Sequence, residues 1–246
     1  MFKPLLDLTN YYLNPFAIPV ILVSLMILAI GIFVLRQNIK AIINVAFSCI
    51  CFSTGFWLFT VSLVYFSRYP KVALLWYRYF TFFGVISIMP SLLLFCAAWL
   101  GELKRKRYFL IANYAISLLF YLLAIGTDKF ISPYAIRKYF WGYYPIYTIW
   151  TIPFLIFFFI QIILIVRDLY TAYKKEDIYI RKMSKKIIFI ASLIGFTAPV
   201  DFLPKLMDLP WLYPYGHISM LIYISMVAYA IARYRFMDIT LTITRT

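Results

Sequence analysis

The chain has 246 residues, of which 65% are hydrophobic, 21% aromatic and only 13% charged, and its formal net charge is +15. A soluble domain keeps about a quarter of its residues charged, so this composition, with a mean hydropathy of +0.87, excludes a surface made for water. Nucleic acid is excluded as a partner because the charges stand in short breaks between apolar runs, not on a solvated basic face.

Asn14-Pro15 precedes the first long apolar run and reads as a helix cap followed by a first-turn proline. From Phe16 to Leu35 nothing is charged, a length that crosses a hydrocarbon core of about 30 Å at about 1.5 Å per residue. The run ends at Arg36, not in the small residues of a signal-peptide cleavage site, so a retained helix is expected. Further runs cover Ala41 to Phe66, Val72 to Leu100, Tyr108 to Gly126, Ile146 to Val166, Ile187 to Leu206 and Tyr213 to Ala232. The spacing predicts an all-α integral membrane protein, a bundle of seven transmembrane helices. Its parts are an outer N-terminal segment at 1–15, a seven-helix domain at 16–239 and a short cytoplasmic linker stub at 240–246. Within Thr127 to Pro145, Trp141, Tyr143 and Tyr144 are expected on the membrane surface.

Lysine and arginine set the orientation. One side of the predicted bundle holds 16 of them, including Arg36, Lys40, Lys104 to Arg107, Arg167, Lys174, Lys175, Arg181, Lys182, Lys185 and Lys186; the other holds 7. The richer side is expected in the cytoplasm, with the N-terminus outside and the C-terminus inside a multi-pass cell membrane protein. The basic cluster Arg181 to Lys186, in a predicted loop from Arg167 to Lys186, and the tetrad Lys104 to Arg107 read as orientation signals that also attract anionic lipid.

Catalytic parts are missing from the sequence. Glycines are scattered, so no loop can cradle a phosphate, and the single histidine, His217, excludes a two-histidine metal site. Neither an enzyme, a cofactor nor a metal is expected. Cys49, Cys51 and Cys96 fall within apolar runs without zinc-ligand spacing and read as packing residues.

Ionisable groups inside apolar runs are costly and mark sites or partners. Arg78 lies about six residues below the outer end of the third run, and Asp201 about 14 residues above the inner end of the sixth; at about 1.5 Å per residue their depths coincide, near His217. Three readings stay open: an outward-facing ligand pocket of Arg78, Asp201, His217 and nearby aromatics including Trp76 and Tyr215; an Arg78–Asp201 pair that fixes helix order; and independent snorkelling. Pro90, Pro153, and Pro199 with Pro204 predict irregular backbone, with the sixth helix as the preferred moving part.

The seventh run ends in Tyr229-Ala-Ile-Ala-Arg-Tyr-Arg-Phe-Met-Asp-Ile239. There the chain resembles the N-terminal seven-helix sensor region of membrane-bound histidine kinases, in which the last helix leaves through an aromatic-basic segment closed by an aspartate and an aliphatic residue. Asn14-Pro15, Arg36, Trp57, Trp76 with Arg78, and Pro90 agree in order. The resemblance implies a sensory input module whose output runs through Arg233, Tyr234, Arg235 and Asp238. The partners expected are the lipid bilayer, a cytoplasmic kinase or other signalling output domain and, as an allowed homodimer, a second copy of the chain. No phosphoacceptor helix or ATP-binding domain stands before Thr246, so a fragment or a stand-alone module is expected. The alternative is a small solute transporter with its site near Arg78 and Asp201.

Overall fold

The computed structural model describes residues 2–132, 136–207, 209 and 211–243, without the side chains of Lys205 and of 234–243. Among the described residues seven helices are long and apolar enough to cross a membrane: Ala17–Gln37, Ile42–Phe66, Pro70–Trp99, Leu103–Gly126, Ile149–Lys174, Tyr179–Phe202 and Gly216–Arg233. They are called the first to the seventh helix. The helical backbone of the seventh continues to Ile243.

The helices close a ring in which the first packs on the second, the second on the third, the third on the fifth, the fifth on the sixth, the sixth on the seventh and the seventh on the first. The fourth packs against the third from outside that ring. Apolar side chains face both inward and outward, as Leu22, Leu118, Leu119 and Ile163 are all more than half exposed. An apolar exterior of this extent suits hydrocarbon, and water would not tolerate it. Where helix surfaces are as apolar as their surroundings, contact depends on close packing and on hydrogen bonds between helices. The first two helices supply both: Ser24 donates to the Gly55 carbonyl at 2.7 Å, Ser48 to the Gly31 carbonyl at 2.9 Å and Asn44 to the Val34 carbonyl at 2.9 Å. Cys51 packs against Gly31, and Cys96 is also buried.

Several boundaries differ from those the apolar runs predict. The first helix begins at Ala17, and Asn14 is a clamp more than a cap. Its Oδ1 accepts the Phe16 N–H at 3.0 Å, while its Nδ2 donates to the Tyr65 and Trp141 carbonyls at 2.9 and 2.8 Å. The fifth helix runs on to Lys174 and the sixth starts at Tyr179, so the basic cluster Arg181 to Lys186 lies on a helix and the predicted loop shrinks to residues 175–178. Likewise, Lys104 to Arg107 form the first turns of the fourth helix. Hydropathy marks only the length a bilayer core would cover, whereas the backbone ladder continues wherever nothing interrupts it. Pro153 sits in the first turn of the fifth helix, where its missing N–H interrupts nothing, so it makes no kink there.

At one end of the bundle the segment 127–145 forms an antiparallel hairpin, β1 (Ile136–Tyr139) and β2 (Gly142–Pro145), in which Ile136 pairs with Pro145 and Tyr139 with Gly142. An all-helical chain was expected, and this small sheet is an addition to it. Gly142, at φ +135°, adopts a conformation that side chains disfavour, and a Cβ there would lie 2.9 Å from Tyr65 Cα. The hairpin therefore sits directly on the end of the second helix. Trp141, expected at the membrane surface, is fully buried and stacks on Tyr139 at 4.6 Å; Tyr143 and Tyr144 are buried too. The N-terminal segment joins this end through Tyr12 N–H to the Phe66 carbonyl at 2.9 Å and Arg68 N–H to the Asn10 carbonyl at 2.8 Å.

Candidate functional site

The sixth helix stops where its prolines predict irregular backbone. Regular helix ends at Gly195, a 3-10 turn spans Ala198–Phe202, and a short helix follows at Leu203–Met207. Pro199 has no N–H to continue the ladder. That break turns Asp201 inward, where it is 6% exposed. Its two carboxylate oxygens accept the N–H of Gly216, at 2.9 and 3.1 Å, and its carbonyl accepts the Tyr144 hydroxyl at 2.9 Å. Gly216 opens the seventh helix. The first N–H groups of a helix lack partners within it and form its positive end, so a carboxylate there is stabilised and holds the helix in turn. A Cβ on Gly216 would meet Asp201 Oδ2 at 2.3 Å, so a side chain there would block the contact.

Tyrosines surround the carboxylate. Burial, and next the ring of Tyr65 and the charge of Asp201, hold the Tyr144 hydroxyl well above its ordinary pKa. Tyr213 is pushed up to about 12 by burial and then by Asp201. Both stay protonated and serve as donors, Tyr213 to the Phe16 carbonyl at 3.0 Å. Buried His217 stands edge-on to Tyr213 at 5.8 Å, and Tyr215 lies edge-on to the same ring at 5.4 Å but half exposed.

Beneath this junction lies an apolar cavity between the second, third, fifth, sixth and seventh helices. Its wall includes Trp57, Val85, Ile88, Met89, Leu92, Phe158, Ser192, Gly195, Phe202, Met220 and Tyr223, with Asp201 also contributing. The atom-free space is about 550 Å³, yet only about 40 Å³ can hold the centre of a water-sized sphere. The cavity is therefore a slender slot.

The predicted site residues divide among three places. Asp201 and His217 are at the junction. Arg78 lies in a π-helical turn, Tyr77–Thr81, of the third helix. Its Nε donates to the Ala124 carbonyl at 2.8 Å, its Nη2 to the Thr127 carbonyl, and it pairs with Asp128 at 2.7 Å. A π turn displaces one residue from the ladder, and Tyr121 donates to the Tyr79 carbonyl in that turn at 2.8 Å. Arg78 thus binds the third helix to the end of the fourth. Trp76 donates to the Tyr11 hydroxyl at 2.7 Å, and Tyr11 to the Leu5 carbonyl at 2.8 Å, which anchors the N-terminal segment.

Of the expected output residues, Arg233 lies 5.6 Å over the ring of Tyr229 one turn earlier and donates to its hydroxyl. The side chains of Tyr234, Arg235 and Asp238 lie outside the described residues. Ser192, Gly195, Met220 and Tyr223 escaped the sequence reading of the site. Small residues three apart in the sixth helix, Ser192 and Gly195, were the available signal, since such spacing favours close helix approach. Among the described residues no group of histidine, cysteine, aspartate or glutamate could hold a metal ion.

The arrangement defines a class: a seven-helix bundle, apolar enough to span a membrane, with an internal slot beside a broken helix. Compared with protein-family models, curated proteins and solved structures, the chain finds no match in any of the three, so no relative supplies a function for it.

Proposed function

We propose that the chain is a membrane-embedded sensory input module, N-terminus outside and C-terminus in the cytoplasm, that couples a stimulus at the slot to a signalling partner through its seventh helix. The observation that carries this reading is the double duty of Asp201, which lines the slot and grips the N–H of Gly216 at the head of the seventh helix. Met220 and Tyr223, in the first turns of that helix, line the same slot. An occupant that fits one placement of these residues better than another biases the helix between the two, and only such a difference in affinity can do so. The helical backbone then runs unbroken to Ile243, a stiff connection without an internal proline.

Fusion to a reporter kinase tests the output route. Once a stimulus is shown to control the fusion, one to four alanines inserted after Ile239 should switch output on and off with a period near 3.6 residues. Output indifferent to insertion length sinks the route, and solute flux through liposomes holding the purified chain would move the assignment to a transporter. Orientation is tested with cysteines placed at Lys104, Lys175 and Arg137 in a background lacking the native ones. The first two should label only from the cytoplasm and the third, in the hairpin, only from outside.

A further inference from the structure

Two residues of the slot wall carry a hydrogen-bonding group without a partner. Trp57 Nε1 is buried and makes no hydrogen bond, and so is the Tyr223 hydroxyl, which lies beside Ser192 without reaching hydrogen-bond geometry. Trp57 is 8% exposed and Tyr223 2%. A buried donor without an acceptor is costly and rare, and each one calls for an explanation. Indole N–H is a donor only, and a phenol can donate as well as accept. What both lack together is an acceptor oxygen. Asp201 is committed to Gly216, the Ser192 hydroxyl is in the wall but bonds to neither donor, and most of the remaining wall is built from apolar groups such as Ile88, Met89 and Phe158.

The packing around these donors holds them in place. A Cβ on Gly84 would lie 2.7 Å from Trp57 Cα, so the third helix presses against the backbone that carries the indole. A Cβ on Gly195 would stand 3.0 Å from Tyr223 Cγ, so the sixth helix presses against the phenol ring. The backbone of Trp57 and the ring of Tyr223 are thus held closely, and both residues present donors in a largely apolar surround, the usual make-up of a small-molecule pocket.

We propose that the slot binds a slender apolar molecule carrying a carbonyl oxygen, of the chemical class of long-chain ketones, quinones and acyl esters, with its oxygen toward Trp57 and Tyr223 and its hydrocarbon along the third and fifth helices. The proposal rests on the sensory reading above for its purpose and on the slot alone for its chemistry. Only about 40 Å³ is open to the centre of a water-sized sphere, well below a drug-sized pocket, so a thin occupant alone fits the slot. Its narrowness favours a chain or a flat ring over a branched or globular molecule. A charged headgroup is disfavoured because the wall offers it no counter-charge apart from a carboxylate that already has a partner.

The test uses the full chain in lipid nanodiscs and a long-chain methyl ketone bearing a terminal diazirine. Photolysis should label peptides containing Met89 or Met220, and unlabelled ketone should compete roughly tenfold better than the alkane of the same length, the difference one or two buried hydrogen bonds make. Tyr223→Phe keeps the ring and removes the donor, and Trp57→Phe keeps an aromatic side chain while removing the indole N–H. Each should weaken ketone competition by about threefold to tenfold and leave the alkane unchanged. Labelling spread evenly over the outer face of the bundle, equal competition by the alkane, or unchanged competition in both variants would each overturn the proposal. Binding in the slot without any response of a kinase fusion would sink the sensory reading and leave the ligand class standing. A fusion that responds to another stimulus while the ketone fails to bind would do the reverse.

Discussion

The third and fourth helices have nearly the same mean hydropathy, yet 78% of the apolar window of the third is buried in the protein and 22% of that of the fourth. The third touches the second, fourth and fifth helices and lines the slot, whereas the fourth leans on it from outside. Two details account for the difference. Gly84 lets the third helix approach the backbone of the second at Trp57, and the π turn at Tyr77–Thr81 presents Arg78 and the Tyr79 carbonyl to the fourth. Apolar character places a helix in a membrane; its small residues and irregular turns decide whether it stands at the centre.

The largest effect expected from this contrast is at Gly84. Gly84→Val should destabilise the bundle by about 3 kcal/mol, because the added carbons meet backbone that has no room to yield. Leu119→Val on the exposed face of the fourth helix should change stability by less than about 0.5 kcal/mol. Thermal unfolding in matched detergent checks both, and equal losses would break the contrast.

Next in size is Asp201→Ala, which strands the buried N–H of Gly216 and should cost about 2 kcal/mol. Asp201 and Arg78 hold different partners, Gly216 and Asp128, so the double change with Arg78→Ala should be additive within about 0.5 kcal/mol. Strong coupling in that cycle would restore a direct pair between the two charges.

A smaller effect sharpens the role of the basic end. Lys106 pairs with Glu102 at 2.8 Å and with Asp168 on the fifth helix, so it ties the peripheral fourth helix back to the ring. Lys106→Met should cost about 1 kcal/mol, since the charges are only partly shielded from solvent. Burial raises the Glu102 pKa, but hydrogen bonding and attraction from Lys106 outweigh it and hold the carboxyl below its ordinary 4.5. A depressed folded pKa means that this stabilisation is complete above the unfolded value and is lost as pH falls through the lower folded one. Burial raises the Asp168 pKa as well, and Lys106 and Arg167 likewise outweigh it and hold that carboxyl below its ordinary value. Wild type and Lys106→Met should therefore converge in melting temperature only once pH has fallen through the depressed values of both carboxyls, and a gap that persists after both are protonated would assign the effect to packing alone.

Much of the site was legible and some was not, for physical reasons. Asp201 stood out because a carboxylate amid apolar residues demands an explanation, and Pro199 and Pro204 foretold the broken backbone that turns it inward. Its partner did not stand out, since a backbone N–H carries no sequence signature. Trp57 and Tyr223 read as ordinary apolar-run residues, and only their shared wall and their lack of partners single them out. Trp141 was misplaced because aromatic residues favour a membrane interface and a buried corner equally well; the clamp from Asn14 and the tight seat of Gly142 decided for the corner.

By itself the sequence determined the seven long apolar helices and the asymmetry of basic charge, because hydrophobic length and charge are local quantities that need no neighbours to be counted. Which helix is central, where the helices pass beyond their apolar runs, how 127–145 folds onto the second helix and which polar groups meet were decided only by tertiary structure. Those outcomes depend on the rotation of each helix about its axis and on contacts between residues far apart in the chain, and neither is written in any single segment.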